Sequence, residues 1–257
     1  MESTDGSGKE TCLNIWSTIV NFKSGFFIYL LFLFFFIAGC GGNGDKRTII
    51  KSRKELGRQK KDTEELIKVR GELKRIVERK VHAVKLLESI DRVLGRKYLE
   101  LGSYNLAEEA LLEAEFLKPH SPFIKKDLGE CYYFLGLSAL NYDEKKGYFS
   151  KSRSYFKKTL ELDPELAEAR YGLGLLLFFG FSDTRGAIQE MLEVLEREKN
   201  HVGARFALGR FYYENGELNK SLGEYITLTR ILPGSSPKKK KAQDNIIRIT
   251  RELGNNE

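Results

Sequence analysis

Cysteine and histidine are the side chains of this 257-residue chain best suited to nucleophilic or metal chemistry, and there are three of each. Cys12, Cys40 and Cys131 are scattered, as are His82, His120 and His201, with none of the spacings that a zinc site or a disulfide framework uses. Gly172-Leu173-Gly174 lacks the third glycine and the acidic residue of a dinucleotide fingerprint. The glycine-rich stretch from Gly39 to Gly44 lacks the Lys-Ser/Thr of a phosphate loop. Paired acids such as Glu108-Glu109 fit solvated helical faces. No catalytic residue, cofactor or metal ion is therefore expected, and the chain reads as non-enzymatic. Cys131, one residue before Tyr132, reads as a buried structural thiol. Cys40 differs, because it closes a long uncharged apolar run.

Fourteen uncharged residues, Gly25 to Ala38, precede Cys40. As a helix they reach about 21 Å, less than the roughly 30 Å of a bilayer core, which suits the apolar region of a signal peptide better than a span. Ile37-Ala38-Gly39-Cys40 resembles the lipobox of bacterial lipoproteins. The resemblance implies cleavage of residues 1–39 and diacylation of Cys40, leaving a protein held in the cell membrane or outer membrane by its lipids. The basic flank Lys46, Arg47, Lys51, Arg53 and Lys54 leaves a second reading open, a single-span anchor with its bulk facing the cytoplasm.

Hydrophobic residues make up 41% and charged residues 31%, a balance that places the rest of the chain among folded helical proteins. Residues 40–61 read as a flexible and basic tether that begins with Gly41-Gly42-Asn43-Gly44. Residues 62–87 read as an amphipathic basic helix, with Leu66, Val69, Leu73, Val77, Val81, Val84 and Leu87 on one face. From Asp45 to Leu87 there are 15 Lys/Arg against 7 Asp/Glu. That apolar stripe needs a partner: the following domain, which it would cap, or anionic lipid head groups beside the anchor. With no interleaved aromatics, nucleic acid is not an expected partner.

Beyond it Leu-Gly recurs at 94, 128, 173 and 208, at intervals of 34, 45 and 35 residues. Around these pairs stand Tyr98, Gly102, Tyr104, Ala107, Ala114 and Pro119, then Tyr132, Phe156 and Pro164. Ala187 and Met191 follow in the third unit, with Tyr212, Gly216, Tyr225 and Pro233 in the fourth. The pattern resembles the tetratricopeptide repeat. The resemblance implies an all-α, right-handed α-solenoid of helix-turn-helix units with capping helices at both ends. The four units are 88–121, 122–166, 167–201 and 202–235, followed by a capping helix in 236–257. Gly95, Gly129, Gly174 and Gly209 let paired helices approach, while Gly102 and Gly216 end first helices with positive φ. The extra 11 residues of the second unit suggest a protruding helical hairpin with its tip near Asn141 to Gly147. In the third unit Lys199 stands where a proline is expected, and Gly180-Phe181-Ser182 shifts the turn.

In such arrays the first helices line a concave groove. The resemblance places Arg92, Arg96, Lys126, Glu130, Tyr133, Tyr171, Leu175, Phe178, Phe206, Arg210 and Tyr213 there. Phe178-Phe179 and Tyr212-Tyr213 are doubled, so one member of each pair must point away from the local core. Basic residues at one end and aromatics at the other suit a partner segment with acidic and apolar side chains. The expected function is a lipid-anchored scaffold or adaptor that binds another envelope protein or peptide. The alternative is a solute-handling accessory component of a membrane transporter.

Overall fold

The computed structural model describes residues 43–56 and 63–255. The apolar segment, Cys40 and its flanking lipobox-like residues, and residues 57–62 lie outside the described residues. Ten α-helices account for the described part, and it contains no strand. The chain divides into two compact units, Met1–His82 and Ala83–Glu257. Among the described residues no helix is long and apolar enough to cross a membrane.

In the first unit, α1 spans Asn43–Leu56, where the sequence had suggested a flexible tether. Its charges explain the helix: Asp45 sits in the first turn and Arg53 and Lys54 in the last, each favourable to the helix dipole. Asp45 also pairs with Arg79 at 2.9 Å. Helix α2, Thr63–Glu100, begins in this unit and ends in the second. No break separates residue 87 from 88, where the expected stalk and first repeat meet. Nothing in that stretch stops a helix, and 38 residues extend for about 57 Å. Val69 and Ile76 are buried, whereas Val77, Val81, Val84 and Leu87 of the apolar stripe are exposed.

The second unit continues with α3 (Tyr104–Leu117), α4 (Pro122–Ser138), α5 (Tyr142–Leu162), α6 (Ala167–Phe181), α7 (Thr184–Arg197), α8 (Val202–Glu214), α9 (Leu218–Ile231) and α10 (Pro237–Asn255). Local chemistry sets the boundaries. Ser121 accepts from the Ile124 N–H with Pro122 in the first turn, and Asn141, Asp183 and His201 cap α5, α7 and α8 in the same way. Gly102 and Gly216 turn the chain with φ of 71° and 77°. The shifted turn of the third repeat puts Ser182, with φ of 55°, in that left-handed role. At Lys199, where a proline was expected, Arg205 donates from Nε to the backbone carbonyl at 3.0 Å.

Each first helix packs on its partner through the glycine of the Leu-Gly pair. A Cβ on Gly95 would stand 2.5 Å from Leu111 Cγ, and on Gly129 or Gly209 it would stand 2.9 Å from the rings of Phe156 or Tyr225. On Gly174 it would collide with Met191. Ser152 donates to the Gly129 carbonyl at 2.7 Å and Ser221 to that of Gly209 at 2.6 Å, closing the contact with buried hydrogen bonds. Four apolar clusters follow along the array, the last sealed by Ala242 and Ile249 of α10.

The extra residues of the second repeat lengthen α4 and α5 to 17 and 21 residues. The tip of this hairpin is residues 139–141, earlier in the chain than the expected 141–147, because Asn141 caps α5 and leaves Tyr142 to Gly147 helical. Phe149 packs against Gly136 and fixes the extension.

Candidate functional site

Direct contacts join α4 to α6 and α6 to α8, so successive first helices form one inner row. The residues expected in a groove lie three before, one after or four after the glycine of a Leu-Gly pair, and so recur along this row.

At the start of the row the side chains gather round one carboxylate. Asp127 on α4 has no solvent exposure. Arg92 Nε donates to its Oδ2 at 2.9 Å, Lys126 Nζ lies 2.6 Å from Oδ1 and Arg96 Nη1 lies 3.7 Å from it. Lys126 reaches on to Glu130 at 3.6 Å. Lys126 is buried and consumed in this cluster, whereas half of the Arg96 side chain is open to solvent. Asp127 was invisible as a site residue in the sequence, being one acid among many on a helix. A cluster of cations at neighbouring groove positions was the available signal.

Further along, aromatic rings replace the ion pairs. Phe178 stacks on Phe211 with centroids 4.2 Å apart and meets Phe179 edge-on at 4.9 Å. The Arg210 guanidinium lies 4.8 Å from the Phe179 centroid and 5.9 Å from that of Phe178, a cation–π arrangement, and its Nε lies 3.8 Å from Glu214 Oε1 in an ion pair exposed to solvent. Tyr133 packs on Phe134 and Phe149. Burial and the neighbouring Tyr171 push its phenol up to about 12, with Arg210 drawing it partly back. Tyr133, Tyr171 and Arg210, from three consecutive first helices, therefore share one electrostatic neighbourhood. Tyr133 stays protonated at neutral pH and can donate. Tyr171 leans on His201, and Leu175 packs into the core beneath.

Two expected groove residues are taken up elsewhere. Phe206 meets Tyr225 edge-on at 6.0 Å inside the last cluster. Tyr213 donates to Glu252 of α10 at 2.8 Å, with Arg248 over its ring. The end helix therefore covers the Tyr213 end of the fourth repeat's share of the groove, and the open part runs from Arg96 to Arg210. Of the doubled pairs, Tyr212 is buried while Phe179 is partly open. Among the described residues no group of His, Cys, Asp and Glu could hold a metal ion. Cys131 is buried, donates to the Tyr104 carbonyl, and has its thiol pushed up to about 12 by burial. This is the expected inert thiol.

The solved structure of a thermophilic TPR protein from Thermus thermophilus matches with a TM-score of 0.58, covering 69% of this chain and 95% of its own at 21% identity. The fold is a tetratricopeptide-repeat solenoid. The human IFIT1 dimer with PPP-AAAA matches with a TM-score of 0.59 at 19% identity, over 66% of this chain and 40% of its own. In sequence, the chain is 25% identical over 149 residues to anaphase-promoting complex subunit CDC16 of Saccharomyces cerevisiae, covering 56% of this chain and 16% of the yeast protein. The chain thus spans a small part of that relative. No family model matches it.

Proposed function

We propose that this protein is a non-enzymatic scaffold that holds a segment of another protein along the inner row of its solenoid. The observation that carries the reading is Arg210, laid over Phe178 and Phe179 beside Tyr133. Aromatic residues and arginine dominate binding energy when a partner desolvates them. A segment with acidic residues placed for Arg96 and Arg210, and apolar ones for Tyr133 and Phe179, matches the sequence of chemistries along the groove.

The lipobox-like residues carry the proposal further. Lipids on Cys40 hold the solenoid at a bacterial envelope membrane, and its partner is another envelope protein. Labelling with a radioactive fatty acid tests the anchor: the native chain should incorporate label and Cys40→Ala should not. Equal labelling, or a mature protein that keeps residues 1–39, overturns it. For the scaffold, purification from solubilised membranes should recover a partner with the native chain and lose it with Arg210→Ala.

A further inference from the structure

The glycines at 95, 129, 174 and 209 set a common register for the four first helices, so equivalent positions can be compared. Five residues before the glycine stand Ile90, Ile124, Ala169 and Ala204. The last three are fully buried, but Ile90 is 47% exposed. Immediately before the glycine, Leu128, Leu173 and Leu208 are buried, whereas Leu94 is 42% exposed. Leu101 is open where its counterpart Leu135 is covered. In repeats two to four the preceding second helix packs at this face, α3 on α4, α5 on α6 and α7 on α8. Repeat one has the same apolar face on α2, exposed.

The position four before the glycine shows what belongs there. It is a cation in three repeats, each with carboxylate partners. Lys125 meets Glu115 at 2.6 Å, Arg170 meets Glu193 at 2.6 Å and Glu190 at 3.4 Å, and Arg205 meets Glu224 at 2.7 Å. Repeat one carries Asp91 instead. It is 7% exposed, and its Oδ2 is buried without a hydrogen-bond partner. Burial raises its pKa, as the lack of a counter-charge requires. Ala110 stands on α3 where Glu190 and Glu224 stand on their second helices, so repeat one offers nothing from that position. The other source is the one that serves Lys125, whose partner Glu115 reaches it from the preceding second helix. With the sign reversed, a helix lying before α2 would bring a cation to Asp91.

We propose that the face formed by Ile90, Asp91 and Leu94 of α2, with Leu101 in the turn just after it, receives an amphipathic helix of a partner protein that carries a Lys or Arg within its apolar side. This surface lies at the end of the array and is separate from the inner row. Charge and hydrophobicity together select the occupant: apolar residues at helical spacing cover Ile90 and Leu94, and the cation neutralises Asp91. A second copy docking head to tail is a poor match. The outward side of α10 offers Lys238, Lys240, Lys241 and Arg251, but Ile247 is its sole exposed large apolar residue.

The test uses the full chain and a fluorescent synthetic peptide. Because α3 fills the equivalent face of repeat two, the peptide has the sequence of residues 104–117 with Glu115→Lys, and the unchanged sequence is the control. The lysine peptide should bind at least tenfold more tightly than the control by fluorescence anisotropy. Asp91→Asn should erase that preference and Asp91→Lys should reverse it. Leu94→Asp, at an exposed position that the fold does not need, should abolish binding of both. Tyr133→Ala in the groove should leave binding unchanged. Equal or absent binding of the two peptides, or a preference unmoved at Asp91, would overturn the proposal. So would sedimentation showing a dimer that Leu94→Asp dissociates, which would give the face to a second copy.

Discussion

Arg92 on α2 donates through Nε to Asp127 on α4 at 2.9 Å, and that carboxylate is wholly shielded from water. The bond ties the first helices of two repeats together and fixes where the groove begins. Removing one partner of a buried ion cluster costs more than the cluster contributes, because the remaining charges lose their compensation. Asp127→Ala should therefore destabilise the protein by about 3 kcal/mol. The measurement is a urea titration, read as a lower midpoint with an unchanged slope. Asp127→Asn, which keeps an acceptor for Arg92, should cost less.

The glycines divide into two kinds, and substitution separates them. Gly129→Ala puts a methyl group 2.9 Å from the Phe156 ring and should cost about 1–3 kcal/mol by overpacking. Gly147 lies within α5, and a methyl group added there would meet nothing within 4 Å, so Gly147→Ala should stabilise by about 0.5–1 kcal/mol. Thermal melts of the two variants should shift in opposite directions.

The difference between these glycines was largely readable from sequence, because close helix pairing leaves a periodic demand for a missing side chain. Gly95, Gly129, Gly174 and Gly209 recur beside a leucine, whereas Gly147 does not. Helix α1 was less readable: its opening Gly44 and polar residues suggest a tether, and its end charges favour a helix only once a helix exists. The hairpin tip moved because one capping side chain, Asn141, decided it. For the candidate groove, residue type singled out Arg210 and Phe178 but could not show that α10 would cover Tyr213. Asp127 and Asp91 escaped notice for a common reason. An acid on an amphipathic helix looks solvated until the neighbouring helices are placed.

Alkaline pH should weaken the fold. Tyr132 donates to Glu108 at 2.8 Å and Tyr155 to Glu115 at 2.9 Å, and burial together with these carboxylates raises both phenols above their ordinary value of 10.0. Tyr133 is pushed up to about 12. Above pH 10 the unfolded chain releases phenolic protons that the folded chain retains, so stability falls as pH rises. Melting temperatures should be level from pH 7 to 9 and decline from pH 10 to 12. A rise over that upper interval would contradict the placement of these tyrosines.

The Cys131 thiol, buried and pushed up to about 12, should resist iodoacetamide at pH 8 in the folded protein. In urea the same residue should alkylate readily. Mass spectrometry of the peptide containing Cys131 reads both states, and rapid native labelling would show that the α3–α4 contact is open.

The central claim is that the inner row captures a partner through Tyr133 and Arg210, and the affinity of that partner, once recovered from membranes, tests it most directly. Calorimetry should show Tyr133→Ala with Arg210→Ala weakening binding tenfold or more, since each is the type of residue whose truncation costs about 2 kcal/mol at a hot spot. Glu109→Ala with Glu196→Ala, both exposed on second helices, should leave the affinity within twofold of the native value. Undiminished affinity in the first variant, or a loss confined to the second, would contradict the assignment of the groove.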